Sequence, residues 1–533
     1  MNPYWCELQV ARIMDAQEQH GVNFNRQRAG FLVYQLSEEI LKVDCQAIPQ
    51  LPLMMHKADA YAKPFLKSGK LAKWPALYCE THGINPDHIA GPFSRIWFTP
   101  FDMSKTDKVK RVLIDYGWIP DTWNEKKMEE LGDKKDEWID NYITKNFIEE
   151  RSANWKKVLL KELNFKGKRN RATLAAHLRG KRYVTTSPKI TEESLGSVSG
   201  TVGNLVIRRV MLSHRRSLLR GLFDKVRADG KLGAGCNPCA TPTFRANYRV
   251  VVNIPAARSD YGKELRSLFI PDGNTYSPHV IAGAEGERIP FTNQVLNEKG
   301  KVVGLHRQLC TTDHVFVGSD AAGLEARMLC HYMDDDQYTD TLLNGDIHTY
   351  NQELAGLPTR DDAKTFLYAL LYGAGDANLG AQVGGTKKDG AEMRSRFMSG
   401  LPKYAALVGR LQREAESGYI TGLDGRKIKM RRGYDGEVQT HKALNTLLQS
   451  AGAIVMKYGM IFLDHWVREA KLEARQVLWM HDEVQWSVLN KRAHLERFVH
   501  FANNYVRVAG EYLNMNIPLA SDAMVGSNWY ATH

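Results

Sequence analysis

The sequence predicts a mixed α/β, helix-rich protein of several subdomains, on three observations. At 533 residues the chain exceeds what one hydrophobic core organises. Its second half alternates short apolar runs with segments of helical period, the pattern of helices packed on a sheet. Hydrophobic residues at 43% and charged residues at 25% are ordinary proportions for a globular protein.

The charge balance points to a polyanionic partner. There are 72 basic and 60 acidic residues, a formal charge of +12. The excess is local, with 19 Lys/Arg against 5 Asp/Glu between Arg151 and Gly230. A bias sustained over that length suits an arm or groove that tracks phosphates. Seven cysteines do not make a disulfide scaffold, no secretory leader is visible at Met1, and no run approaches ~20 consecutive apolar residues. Cytoplasmic life with reduced thiols and no membrane association is expected. The pair Cys236-Asn-Pro-Cys239 has no second pair at matching spacing to complete a zinc site.

Along the chain, the stretch from Trp5 to about Val43 reads as one amphipathic helix. Pro, Gly and Lys then interrupt the pattern between Asp44 and Pro100, as an insertion or linker does. Lys-rich helical segments return from Ser104 to Asn164. Between Leu205 and Val226, apolar positions recur at helical spacing with Arg208, Arg209, Arg215, Arg216 and Arg220 among them, which predicts a long basic helix.

Three segments carry chemistry. In Val315-Phe-Val-Gly-Ser-Asp320, an apolar strand ends in an acid, and a helix follows through Leu324, Met328 and Tyr332. A carboxylate at a strand end can be held rigidly enough to bind a hard cation, although alone it could equally cap the helix. In Val477-Leu-Trp-Met-His481-Asp482-Glu483-Val, two apolar strands flank ionisable residues, which predicts a hairpin with acids at its tip. An exposed turn would have the same sequence; a buried one needs a cation to offset the loss of solvation.

The third segment runs from Pro358 to Gly375. Thr359 and Asp362 resemble a capping box, and Gly373 offers a stop. Arg360, Lys364, Tyr368 and Tyr372 fall every fourth residue, so two cations and then two rings share one face of a helix. Cations near a helix N-terminus suit a triphosphate, and rings suit a base. Together the segments answer the demands of nucleotidyl transfer, which uses two metals about 3.5–4 Å apart. Asp320 and Asp482 would bridge both metals, with the Ala321 carbonyl as a further ligand, while Arg360 and Lys364 offset charge on the phosphates.

These segments resemble motifs A, B and C of the family A DNA polymerases, and within that family the replicative polymerases of short-tailed bacteriophages. Further matching runs are Leu343-Asn-Gly-Asp-Ile-His348-Thr, Thr421-Gly-Leu-Asp-Gly-Arg-Lys427, Ala443-Leu-Asn-Thr-Leu-Leu-Gln-Ser-Ala-Gly452 and Asn528-Trp529. The resemblance implies a right-hand fold, with an N-terminal helical segment at 1–25 and a thumb at 26–226 carrying an insertion at about 44–100. The first part of the palm would be 227–332, the fingers 333–442 and the second part of the palm 443–533. It implies two Mg²⁺ ions held by Asp320, Ala321 and Asp482, with Glu483 as an auxiliary catalytic acid and Lys364 as a catalytic cation. His348, Arg360 and Lys364 would contact the dNTP triphosphate, Tyr368 its sugar and base, and Tyr372 the templating pair. Glu325 would act as the gate against a 2′-hydroxyl. Arg245, Asn253, Asn445, Gln449 and His481 would contact primer-template DNA.

The chain departs from the family in two places. The family commonly has Thr-Gly-Arg where this chain has Thr243-Phe244-Arg245. Close relatives also carry a 3′–5′ exonuclease domain for which this chain has no room. A polymerase without its own proofreading is expected, acting in a bacterial host's cytoplasm. Its expected partners are a separate exonuclease subunit, a thioredoxin-like processivity factor and a replicative helicase. The rival readings are a single-subunit RNA polymerase, against which Glu325 and Glu483 weigh, and a catalytically silent DNA-binding scaffold.

Overall fold

Val315, Phe316 and Val317 are fully buried, and they form the middle of the strand His314–Ala321. That strand is central in a four-stranded antiparallel sheet, in the order Ala474–Met480, Glu483–Leu489, His314–Ala321, Ser521–Gly526. Its register sets Asp320 directly opposite Glu483 on one side and Asp522 on the other, so three carboxylates share a row across the sheet. The computed structural model describes residues 2–149, 152–191, 194–273, 313–433 and 436–533, with the short strands Gln294–Leu296 and Val302–Leu305.

The described chain divides into two compact units, Met1–Leu32 with Leu218–His533, and Val33–Ser217. The larger unit is organised on the helix Ala443–Glu469, which packs against the helices Pro3–His20, Leu324–Met333 and Tyr505–Tyr512. By length and composition alone this helix could cross a membrane, although, as expected, it holds no run near ~20 consecutive apolar residues. Yet 83% of the apolar window is buried inside the protein, and the helix is the unit's core. The smaller unit has its own core, around Leu113, Trp118, Ile139, Trp155 and Leu178.

The mixed, helix-rich class holds, and several elements are sharper than expected. The single helix read from Trp5 to Val43 is two, Pro3–His20 and Arg26–Ala47, separated by the strand Val22–Phe24. Gly21 makes the break at φ +70°, where a Cβ would lie 2.8 Å from the Leu232 carbonyl oxygen. The interrupted stretch at 44–100 folds as a hairpin of Met54–Tyr61 with Phe93–Thr99 and a helix Lys73–Thr81 between them. Within the Lys-rich helical region, the strand Trp123–Lys127 pairs with Tyr183–Pro188. The basic helix is present as Thr201–Phe223.

Candidate active site

The strand end, the hairpin and the capped helix converge as their sequences suggest. Asp320 lies one residue before the end of its strand, and the hairpin turn His481–Asp482 joins the strands Ala474–Met480 and Glu483–Leu489. The Ala321 N–H donates to the Asp482 carbonyl at 3.0 Å, which stitches strand end to turn. His481 holds a left-handed backbone (φ +59°). Its N–H donates to the Tyr248 hydroxyl at 2.5 Å, and its carbonyl accepts from the Trp479 indole at 2.9 Å. Three partners thus fix a strained turn, as expected where geometry serves a site.

Burial, with the negative charges of Asp482 and Glu483, pushes the Asp320 carboxyl up from an ordinary 3.8 to about 7. The folded protein therefore sets like charges against each other where a cation would relieve them. Glu483 differs from its two neighbours. It is buried, its carboxylate accepts from Trp529 Nε1 at 2.7 Å, and His533 Nε2 lies 3.3 Å away. Burial raises its pKa. These contacts tie Glu483 to the chain's closing residues.

A cleft of about 460 Å³ opens over this floor. It brings together Asp320, Ala321, Asp482, Glu325, Tyr368, Tyr372, Arg245 and His481. Glu325 is the hinge of its wall, accepting from Arg245 Nη2 at 3.1 Å and from the Tyr372 hydroxyl at 2.8 Å. Burial, then the negative charges of Glu325 and Asp482, raise the Tyr368 pKa.

The helix Arg360–Leu371 begins as its sequence predicts. The Thr359 hydroxyl accepts from the Asp362 N–H at 3.1 Å and donates to the Asp362 carboxylate at 2.7 Å. Gly373 follows the helix at φ +77°. Arg360 and Lys364 are exposed and stand outside the cleft lining. Arg360 makes a two-pronged pair with Asp346, at 2.6 and 3.1 Å, and holds that carboxyl well below its usual range. His348 lies beside this pair. Burial and then the charges of Arg360 and Lys364 lower its pKa, and its Nδ1 is buried without a hydrogen-bond partner among the described residues.

Asn445 and Gln449 sit one turn apart on the long core helix, and Asn445 Nδ2 donates to the Tyr372 carbonyl at 3.2 Å. Asn253 is exposed at φ +55°. None of these three lines the cleft. Three contributors went unread in the sequence. Tyr248 belongs to no motif, Trp479 stood in the hairpin segment only as an apolar strand residue although its indole braces the turn, and Asp522 was legible as the exposed position in the alternating strand Ser521–Gly526. At the Cys-x-x-Cys pair, the Cys239 thiol donates to Glu7 at 2.9 Å, and burial pushes both thiols up, Cys239 to about 11 and Cys236 to about 12.

Among the described residues, no group of three or more His, Cys, Asp or Glu side chains could hold a metal. Two carboxylates and a main-chain carbonyl nevertheless suit Mg²⁺, which keeps several waters and is commonly shared with substrate phosphates.

Comparison with known proteins agrees with this geometry. The sequence model of DNA polymerase family A matches residues 289–531. A DNA-directed DNA polymerase of Escherichia phage Phieco32 is 41% identical over 100% of this chain and 99% of that relative. The DNA-directed DNA polymerase of Escherichia phage T7 is 28% identical over 88% of this chain, which spans 58% of that protein's length. Among solved structures, the POL domain of Pol1 from M. smegmatis, in complex with DNA primer-template and dNTP, aligns with a TM-score of 0.60. That alignment covers 99% of this chain and 70% of that one at 14% identity, a likeness of fold. The polymerase fold expected from the motifs is thereby borne out.

Proposed function

The chain belongs to DNA polymerase family A, and on that premise we propose that it extends a primer 3′ end with deoxynucleoside triphosphates copied from a DNA template. The observation that carries this reading is the pairing of Asp320 with Asp482 on the floor of a cleft walled by Glu325, Tyr368 and Tyr372. Two Mg²⁺ ions held by Asp320, Asp482 and the Ala321 carbonyl would lower the pKa of the attacking 3′-hydroxyl and steady the departing pyrophosphate.

The chain's own groups do the remaining work. Arg360, Lys364 and His348 bind the triphosphate, and Arg360 exchanges its Asp346 partner for phosphate oxygens as it does so. Tyr368 packs on sugar and base. Glu325, held between Arg245 and Tyr372, keeps a fixed carboxylate where a 2′-hydroxyl would intrude. Arg245, Asn253, Asn445, Gln449 and His481 contact the primer-template, with Glu483 supporting the floor from behind.

The phage origin of the relatives supports action in the cytoplasm of an infected bacterium; a replicative helicase and a separate 3′–5′ exonuclease are the partners that the family resemblance implies. In the smaller unit, Trp74, Leu77, Ile96, Trp97 and Phe98 are exposed on the hairpin and its helix, which supports docking of a thioredoxin-like processivity factor there. Removing residues 57–92 should abolish capture of that factor, and unchanged capture argues against the dock. The reading as a whole is tested with a labelled primer-template, dNTPs and Mg²⁺, with a mismatched 3′ end in parallel. Extension of the matched primer without shortening of the mismatched one is expected. Failure to extend overturns the polymerase reading, and shortening overturns the absence of proofreading.

A further inference from the structure

Phe244 is a bulky aromatic residue with a left-handed backbone at φ +59°. A side chain with a Cβ avoids that conformation unless its surroundings impose it, and such strain gathers at sites that need fixed geometry. Here the surroundings are identifiable. The turn is closed by the Phe244 N–H donating to the Thr241 carbonyl at 2.9 Å and by the Thr241 hydroxyl donating to the Arg245 carbonyl at 3.0 Å. Two cations approach the Phe244 ring, the Arg426 guanidinium at 4.7 Å and the Lys457 ammonium at 5.8 Å from its centroid.

Both cations are anchored in the interior. The Lys457 side chain has 0% of its surface exposed and Arg426 5%. Lys457 donates to both Glu7 oxygens, at 2.6 and 2.7 Å. Arg426 pairs with Asp424, at 2.7 Å from Nη2, and with Glu7. Two positive and two negative charges balance, so neither cation is free to follow the ring elsewhere. The cluster joins the first helix, the 424–426 turn and the long core helix at one point, and Phe244 covers its cationic side. The next residue is Arg245, whose guanidinium clamps Glu325, and Glu325 in turn holds the Tyr372 hydroxyl.

We propose that Phe244 is a positioning residue, which uses its contacts with the buried Arg426 and Lys457 to fix Arg245 against Glu325 and thereby sets the wall of the nucleotide cleft. This rests on the polymerase reading given above. A fixed Arg245 keeps Glu325 from swinging away from the sugar, so discrimination against ribonucleotides and the rate of insertion both depend on the ring. Neither Phe244 nor its cations touch the cleft, since none of the three lines it.

The test is a double-mutant cycle on single-nucleotide insertion, measured with dNTP and with the matching rNTP. Phe244→Leu keeps bulk but loses the face that attracts the cations, and Phe244→Gly suits the left-handed backbone but removes the ring. Should the leucine variant fail to fold, the glycine variant carries the cycle. Each is expected to slow dNTP insertion about tenfold and to narrow the dNTP-over-rNTP preference, as a displaced positioning group does. In an Arg245→Ala background, the same changes should add little, because the group they position is gone. Phe244→Tyr should behave as wild type. Equal losses in both backgrounds, or full activity in Phe244→Gly, would overturn the proposal. An inactive wild-type chain would instead overturn the polymerase reading.

Discussion

Replacing Asp320 by Asn should stabilise the metal-free protein and abolish its stabilisation by Mg²⁺. Burial and two neighbouring carboxylates raise the Asp320 pKa in the fold from 3.8 to about 7. The folded state thus holds this proton more tightly than the unfolded state does. Its contribution to stability is present below about pH 4 and is lost as pH rises through 7. A shift of about 3 units corresponds to about 4 kcal/mol at ~1.36 kcal/mol per unit. Asp320 reaches solvent in the cleft, and screening reduces this to about 1–2 kcal/mol. Asn carries no charge, so Asp320→Asn should melt higher than wild type in EDTA at pH 8, by roughly 1–3 °C for a chain of this size. The gap should narrow at pH 5. Mg²⁺ at pH 8 should raise the wild-type melting temperature, by binding the charged form, and leave the variant nearly unmoved. Differential scanning calorimetry of both proteins at the two pH values, with EDTA or Mg²⁺, gives all the comparisons. A gap independent of pH, or equal stabilisation of both proteins by Mg²⁺, refutes the reasoning.

Other outcomes follow from the same geometry. Arg360→Ala and Lys364→Ala should each weaken dNTP binding by about 1.5–3 kcal/mol, the loss of a charged hydrogen-bond partner, with little change in primer-template affinity; pre-steady-state insertion separates the two. Glu325→Ala should admit ribonucleotides in competition assays, since it empties the position beside Tyr372 and Arg245. Tyr368→Phe should reduce incorporation of dideoxynucleotides relative to dNTPs, as the family resemblance implies, and unchanged selectivity in a termination assay would count against that assignment. Primer-template affinity should fall steeply with salt if the 19 basic residues between Arg151 and Gly230 supply phosphate contacts, and a flat titration would remove the basic region from the interface.

Much of the floor and the capped helix was legible because each depends on local pattern. The run Val315-Phe-Val announced a buried strand, the tip at His481–Asp482 announced a hairpin, and Thr359 with Asp362 announced a helix start. What was hidden depends on long-range partners. Nothing near Glu483 in sequence shows that Trp529 and His533 enclose it, and nothing near Asp346 shows that Arg360, fourteen residues later, closes on it. The strain at Phe244 was equally hidden, because the cations that meet its ring come from residues 426 and 457. Helical period alone did not reveal the break at Gly21, which is set by close approach of the Leu232 carbonyl. The Pro- and Gly-rich texture of 44–100 concealed a paired hairpin, since its strands lie more than thirty residues apart.

The most direct test of the central claim is Mg²⁺-dependent single-nucleotide insertion on a matched primer-template by wild type, Asp320→Ala and Asp482→Ala, with DNA affinity measured on the same samples. The account predicts insertion by wild type only, and similar DNA affinity for all three. Undiminished insertion by either variant, or none by wild type on DNA that it binds, would contradict it.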